Sequence, residues 1–153
     1  MIITFCGHSH LTDKEKRKKA ILELLEKRVG ARPVELYFGG YGDFDELAYE
    51  CGRIYKKTHP STSLVFVTPY ITESYQKNKL RGLAEKYDVI LYPDIDGKPL
   101  RFAISYRNKF MVEKADLVIA CVSHDWGGAF ATYRYARKKE KEIFNLENFD
   151  DDK

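Results

Sequence analysis

Apolar and polar positions alternate along this chain with two different periods, and the changes from one to the other mark its elements. Ile2 to Cys6 is a short β-rich run that ends in Gly7-His8-Ser9-His10. Thr12 and Glu15 have the spacing of a capping box, with Leu11 as the staple residue, which predicts a helix opening at Thr12. Ala20, Ile21, Leu24 and Leu25 form its apolar stripe and Gly30 ends it. Val34 to Phe38 reads as a second strand and runs straight into Gly39-Gly40-Tyr41-Gly42. Phe44, Leu47, Ala48, Cys51, Ile54 and Tyr55 then fall on one face of a helix. Ser63 to Thr68 is a third strand, Tyr75 to Lys86 a helix, and Val89 to Tyr92 a fourth strand, with a turn by composition at 93–97. Phe102 to Lys114 predicts a helix, Leu117 to Val122 a buried strand, Gly128 to Lys139 a helix, and Ile143 to Leu146 a last strand.

Repeated strand-then-helix units of this length give a mostly parallel sheet with helices on both faces. The expectation is an α/β fold, a Rossmann-like three-layer sandwich with five to six strands. No linker or repeat divides the chain, so one domain is expected over 1–148, followed by an acidic, disordered tail at 149–153. In such sheets ligands lie beyond the carboxyl ends of the strands, where strand order reverses. That points to Gly7-His8, to Gly39 to Gly42 and to the stretch from Ser123 to Gly128.

Composition narrows the function classes. With 44% hydrophobic and 32% charged residues the chain is globular. Its net charge of +3 is small and its charges are mixed, which argues against a dedicated DNA surface, so DNA is not an expected partner. The basic run from Lys14 to Lys19 reads as a solvated helix face. Cys6, Cys51 and Cys121 lack metal-ligand spacing, no leader-like stretch opens the chain, and no apolar run is long enough to span a bilayer. A cytoplasmic protein with no membrane partner is expected.

Several residues have the character of a site. Glycines between a strand and a helix let backbone N–H groups approach an anion, so Gly39, Gly40, Tyr41 and Gly42 are expected to cradle phosphate, with Asp45 in the next helical turn. Gly127-Gly128 repeats that logic after the fifth strand. Trp126, the only tryptophan, offers a stacking platform there beside His124 and Asp125. Arg107-Asn108 has the donors to grip phosphate or ribose hydroxyls, although an arginine on a helix is more often a surface residue. Cys6 and Cys121 read as buried packing rather than nucleophiles. His8, His10, His59 and His124 do not form a metal set, and no cofactor is expected. Asp94 and Asp96 before Gly97 read as a turn, not a calcium loop.

Taken together, the Gly-Gly-x-Gly loop before Asp45-Glu46-Leu47-Ala48, the run Arg107-Asn108…Met111-Val112…Ala115-Asp116 and the Gly127-Gly128 loop resemble the SLOG superfamily. That superfamily gathers LOG-type phosphoribohydrolases, DprA/Smf proteins and many nucleotide-binding proteins. The resemblance covers about residues 2–146 and is closest to the small stand-alone bacterial YpsA-type group. It implies a pocket at Gly39, Gly40, Gly42, Asp45, Arg107, Asn108, Gly127 and Gly128, with Gly7 and His8 matching the first-strand loop. It also implies a nucleotide-like ligand and, since related domains often dimerise, a homodimer. One departure bears on chemistry. LOG hydrolases carry P-G-G-x-G-T-x-x-E, whose glutamate serves N-glycosidic cleavage, whereas here Phe130 and Ala131 replace the G-T step and Arg134 stands at the acid's position. The reading is therefore a sensor or carrier module that binds a nucleotide-derived ligand. The alternative is a LOG-like phosphoribohydrolase acting on a nucleoside monophosphate, with Asp45, Glu46 or Asp125 in place of the glutamate.

Overall fold

The structure, a computed structural model, describes residues 1–149 apart from the side chain of Glu73. In chain order it runs β1 (Ile2–Gly7), α1 (Lys14–Val29), β2 (Val34–Phe38), α2 (Asp43–Thr58) and β3 (Thr62–Val67). A helical segment follows, made of α3 (Glu73–Tyr75), a π-helical turn (Gln76–Leu80) and α4 (Arg81–Leu83). Then come β4 (Val89–Leu91), a 3-10 turn (Leu100–Phe102), α5 (Ala103–Lys114), β5 (Leu117–Cys121), α6 (Gly128–Lys138) and β6 (Ile143–Asn145). The six strands form one sheet in the order β4-β3-β2-β1-β5-β6, and every pairing is parallel.

The period of two along each strand sorts its side chains into two cores. On β5, Leu117, Ile119 and Cys121 face one core, while Val118, Ala120 and Val122 face the other. Ile3 and Phe5 of β1, Leu36 and Phe38 of β2, and Leu64 and Phe66 of β3 join Leu117 and Ile119 in the first core. That core is covered by α1 and α2 through residues such as Ile21, Leu25, Phe44 and Ala48. The opposite face takes α5 and α6, through Met111, Val112, Tyr133 and Ala136. Helices change face because the chain leaves β1 on one side and returns to its other side at β5. This reversal opens a crevice at the carboxyl ends of β1 and β5.

Local signals and tertiary contacts disagree at two places. The capping box does not form: the residue before α1 is Asp13, left-handed at φ 52 and without a side-chain cap. Leu11 is drawn into the core, its N–H donates to Asp43 Oδ2 at 3.1 Å, and Arg17 Nε donates to Thr12 O at 2.9 Å. These contacts fix the entering chain in a course the capping box cannot follow. The helix expected at Tyr75 to Lys86 begins earlier, ends at Leu83 and contains the π turn. At the far end Phe149 packs edge-on against Phe130 with ring centroids 6.2 Å apart. The rest of the expected acidic tail lies outside the described residues.

Gly7 ends β1 where α2 crosses it. A Cβ there would lie 2.3 Å from Phe44 Cγ and 2.6 Å from Phe44 Cβ, the rooted part of a fully buried side chain. Gly7→Ala is expected to cost about 1–3 kcal/mol and to lower the melting temperature by roughly 4–10 °C. Gly82→Ala in α4, where a Cβ meets nothing within 4 Å, should be neutral or stabilising. Equal melting temperatures for the two variants in thermal denaturation would contradict this packing.

Candidate functional site

A cleft of about 1140 Å³ lies across the carboxyl ends of the central strands. Gly7 and His8 enter it from β1, and Gly39, Gly40 and Tyr41 from β2. Asp45, Arg107 and Asn108 line it from α2 and α5, and Trp126, Gly127 and Gly128 from the turn before α6. Gly42 does not line it. Gly42 has φ 90 and packs on Ser9, whose Cα would lie 2.8 Å from an added Cβ, so its role is to let two loops pass closely.

The two glycine turns share a backbone conformation but differ electrostatically. Gly42 before α2 has φ 90, ψ 171, and Gly127 before α6 has φ 90, ψ 174, values open to glycine alone. The first turn of α2 holds Asp43, Asp45 and Glu46. Tyr41 N–H donates to Asp45 Oδ2 at 2.9 Å and Asp43 N–H to Ser9 O at 3.0 Å. One N–H of the Gly39 to Gly42 loop is thus taken by the side chain of Asp45, and the helix that follows opens with three acidic residues, which weaken its pull on an anion. The first turn of α6 has no acidic residue and no side-chain cap. A Cβ at Gly127 or Gly128 would meet nothing within 4 Å. Gly127 and Gly128 line the cleft, so this turn brings uncapped helix N–H groups to it with no carboxylate beside them.

Arg107 is neither a surface arginine nor a free clamp. It is 3% exposed. Its Nη1 donates to Val67 O at 2.8 Å and Gly39 O at 3.2 Å, and its Nε donates to Asn108 Oδ1 at 2.8 Å. It ties the ends of β2 and β3 together and holds Asn108 at the cleft wall. Burial lowers its pKa and the charge of Asp45 opposes that shift. Burial pushes the Asp45 carboxyl up to about 6, against the Tyr41 N–H and Arg107, which favour its charged form. Arg134, at the position of the LOG glutamate, is exposed and outside the cleft lining. Thr132 does line it, with its hydroxyl donating to Gly128 O at 3.0 Å.

Three rings, His8 from the loop after β1 and His124 and Trp126 from the loop after β5, form a stack beside this turn. His8 lies on His124 with centroids 3.5 Å apart, and His124 on Trp126 at 3.7 Å. Ser123 N–H donates to His8 Nε2 at 3.0 Å, so neutral His8 carries its proton on Nδ1. Burial, and next the neighbouring His124, lower the His8 pKa. Trp126 itself remains 67% exposed. The thiols offer no nucleophile, since burial pushes Cys6 far up and Cys121 up to about 12. No metal-binding group of His, Cys, Asp or Glu occurs among the described residues.

Sequence reasoning did not find the far wall of the cleft, formed by Tyr70, Tyr75, Asn78, Lys79 and Lys86. The sequence marks Tyr75 to Lys86 only as a helix, with no signal that places it beside the cleft.

No family model and no curated protein matches the chain. Solved structures do. DNA processing protein A from Helicobacter pylori, described for its single-stranded DNA binding mode, is 19% identical with a TM-score of 0.64, over 97% of this chain and 66% of that one. DprA from Streptococcus pneumoniae is 15% identical with a TM-score of 0.68, over 98% of this chain and 51% of that one. The structural-genomics target TM1055 is 17% identical with a TM-score of 0.55, over 93% of this chain and 71% of that one. The chain spans about half to two thirds of the DprA proteins it matches. These likenesses show the Rossmann-like α/β fold. One of these proteins is described by its single-stranded DNA binding, which is at odds with the expectation that DNA is an unlikely partner. No described helix is long and apolar enough to cross a membrane.

The raised pKa of Asp45 makes a signed prediction. Burial holds its carboxyl at about 6, above the ordinary aspartate range, so the folded state holds the proton more tightly. Folding stability from this group is undiminished below pH 4, falls as the pH rises towards 6, and stays reduced above that. Asp45→Asn keeps an acceptor for Tyr41 N–H and removes the charge. It should therefore match the parent near pH 4 and exceed it by up to about 3 kcal/mol at pH 7. Urea denaturation at pH 4, 5, 6 and 7 checks this; a difference independent of pH would refute it.

Proposed function

We propose that the cleft binds a nucleotide or nucleotide-derived ligand and that the chain is a SLOG-type module, of the stand-alone YpsA-like kind, that senses or carries it. The observation that carries this reading is the open, acid-free N-terminus of α6 beside the exposed Trp126, inside the crevice where strand order reverses. An anionic group at Gly127-Gly128 is held by backbone N–H groups, and a base stacks on the indole. Hydroxyl groups of a sugar meet Asp45 and Asn108. Helix α6 carries no carboxylate, which favours a module that holds its ligand over one that cleaves it.

Thermal shift with a panel of nucleotides tests the reading. A nucleotide at about 100 times its Kd stabilises by about 2.7 kcal/mol, or roughly 5–10 °C here. Gly128→Asp places a carboxylate in the first turn of α6 without a steric clash. It should leave the ligand-free melting temperature unchanged or slightly raised and abolish the shift. A shift that survives this substitution, or no shift with any nucleotide, would refute the reading.

A second reading, single-stranded nucleic acid as partner, is favoured by a ladder of cations and rings across α5 and α6. Lys98 lies 5.3 Å from the Tyr106 ring and Lys109 5.7 Å. Lys109 also lies 5.4 Å from the Tyr135 ring and Lys139 5.5 Å. Alternating phosphate and base contacts are what a single strand makes on such a surface. Reversing Lys98, Lys109 and Lys139 to Glu should flatten the salt dependence of oligo-dT binding, measured by fluorescence anisotropy, by about 2 in the log–log slope. An unchanged slope would remove this surface from consideration.

A further inference from the structure

The cleft is larger and more symmetrical than one nucleotide requires. Its volume of about 1140 Å³ exceeds the usual range of small-ligand sites, about 300–1,000 Å³. It reaches from the turn after β5 to the helical segment beyond β3. These two strands are three places apart in the sheet, a separation of roughly 14 Å. Each end combines aromatic rings with positive charge. At the β5 end, Trp126 stands beside the N-terminus of α6. At the β3 end, Tyr70 and Tyr75 make an edge-to-face pair with centroids 5.2 Å apart, and Lys79 and Lys86 line the same wall.

The far end is held in place rather than draped over the opening. Thr68 is fully buried, and its hydroxyl donates to Tyr70 O at 2.8 Å and accepts from Tyr70 N–H at 3.3 Å. Leu80 and Leu83 pack against the main core, and Tyr49 Oη donates to Lys86 O at 2.8 Å. Asn78 and Lys79 lie within the π turn Gln76–Leu80. Such turns sacrifice regular helix bonding and recur at functional sites. Gly82, the next residue of this segment to line the cleft, has no side chain to obstruct it. Neither Lys79 nor Lys86 forms an ion pair among the described residues. Asp45 and Asn108 also line the cleft, and they suit the ribose hydroxyl groups of such a ligand.

From these observations we infer that the cleft takes a ligand of two nucleotide units, with one base on Trp126, the other against Tyr70 and Tyr75, and the linking phosphate drawn to the cationic side chains of Lys79 and Lys86. The inference rests on the reading of the cleft as a nucleotide site. A mononucleotide fills one end only. The two units can be joined through a 5′–5′ pyrophosphate or through a 3′–5′ phosphodiester, and both linkages supply two bases with phosphate between or beside them.

Isothermal titration with AMP, with NAD as the pyrophosphate-linked probe and with pApA as the phosphodiester-linked probe tests the inference on the full chain. At least one of the two dinucleotides should bind ten-fold or more tightly than AMP, and the better of them identifies the linkage. Lys79→Ala with Lys86→Ala should bring that dinucleotide to within about threefold of AMP, a loss of roughly tenfold, while the Kd for AMP changes less than twofold. Both lysines are exposed, so the double variant should keep the parent's melting temperature. AMP binding as tightly as both dinucleotides would overturn the inference and leave the nucleotide reading intact. The same proportional loss for AMP and dinucleotide in the double variant would also overturn it. Failure of all three to bind would overturn both.

Discussion

A guanidinium taken out of water persists only where other acceptors replace the water it has lost. Arg107 meets that condition at the one place in a parallel sheet where acceptors are left over, the carbonyls at which the strand ladders stop. It binds the ends of β2 and β3, and its Nε fixes the side-chain amide of Asn108 beside it on α5. Much of the cleft floor follows from this. Gly39 stays bare because a Cβ would stand 3.2 Å from the guanidinium carbon. Burial disfavours the charge of Asp45, and Tyr41 N–H and then Arg107 favour it. Removing the arginine leaves two strand-end carbonyls without their donor, so its role in binding cannot be separated from its role in building the floor.

The fold was legible because a parallel strand covered on both faces shows its pattern strongly. The alternation of Leu117, Ile119 and Cys121 with Val118, Ala120 and Val122 is visible in the letters and maps directly onto two cores. The site was legible in part. Its glycine turns follow strands and precede helices, as the sequence suggests. Which turn is open to an anion depends on whether nearby N–H groups are already taken, and that is decided by Asp45 and by the backbone of Ser9. The acids at Asp43, Asp45 and Glu46 stood in the sequence, yet glycine spacing alone gives them no weight.

Other features were not legible, for physical reasons. An arginine on an amphipathic helix is placed in water by any periodicity argument, and only the convergence of two strand ends buries it. The stack of His8, His124 and Trp126 joins positions more than a hundred residues apart through the pairing of β1 with β5. The capping box at Thr12 was a sound local signal that lost to Leu11 entering the core. The π turn opposite the ring stack has no sequence signature, since it depends on how the segment must reach back from β3 to β4.

The pairing of β1 with β5 also governs when the cleft comes into being. β1 is made well before its second neighbour in the sheet, which is drawn from Leu117 to Cys121. At a synthesis rate of about 5–20 residues per second, that edge of β1 waits on the order of ten seconds for its partner. During that interval Ile3, Phe5 and the backbone of β1 present an apolar, unpaired edge to any passing strand. The crevice is thus also a seam along which the nascent chain is exposed to wrong pairing. A ligand that grips both sides of the seam acts on the folding population as well as on the finished protein.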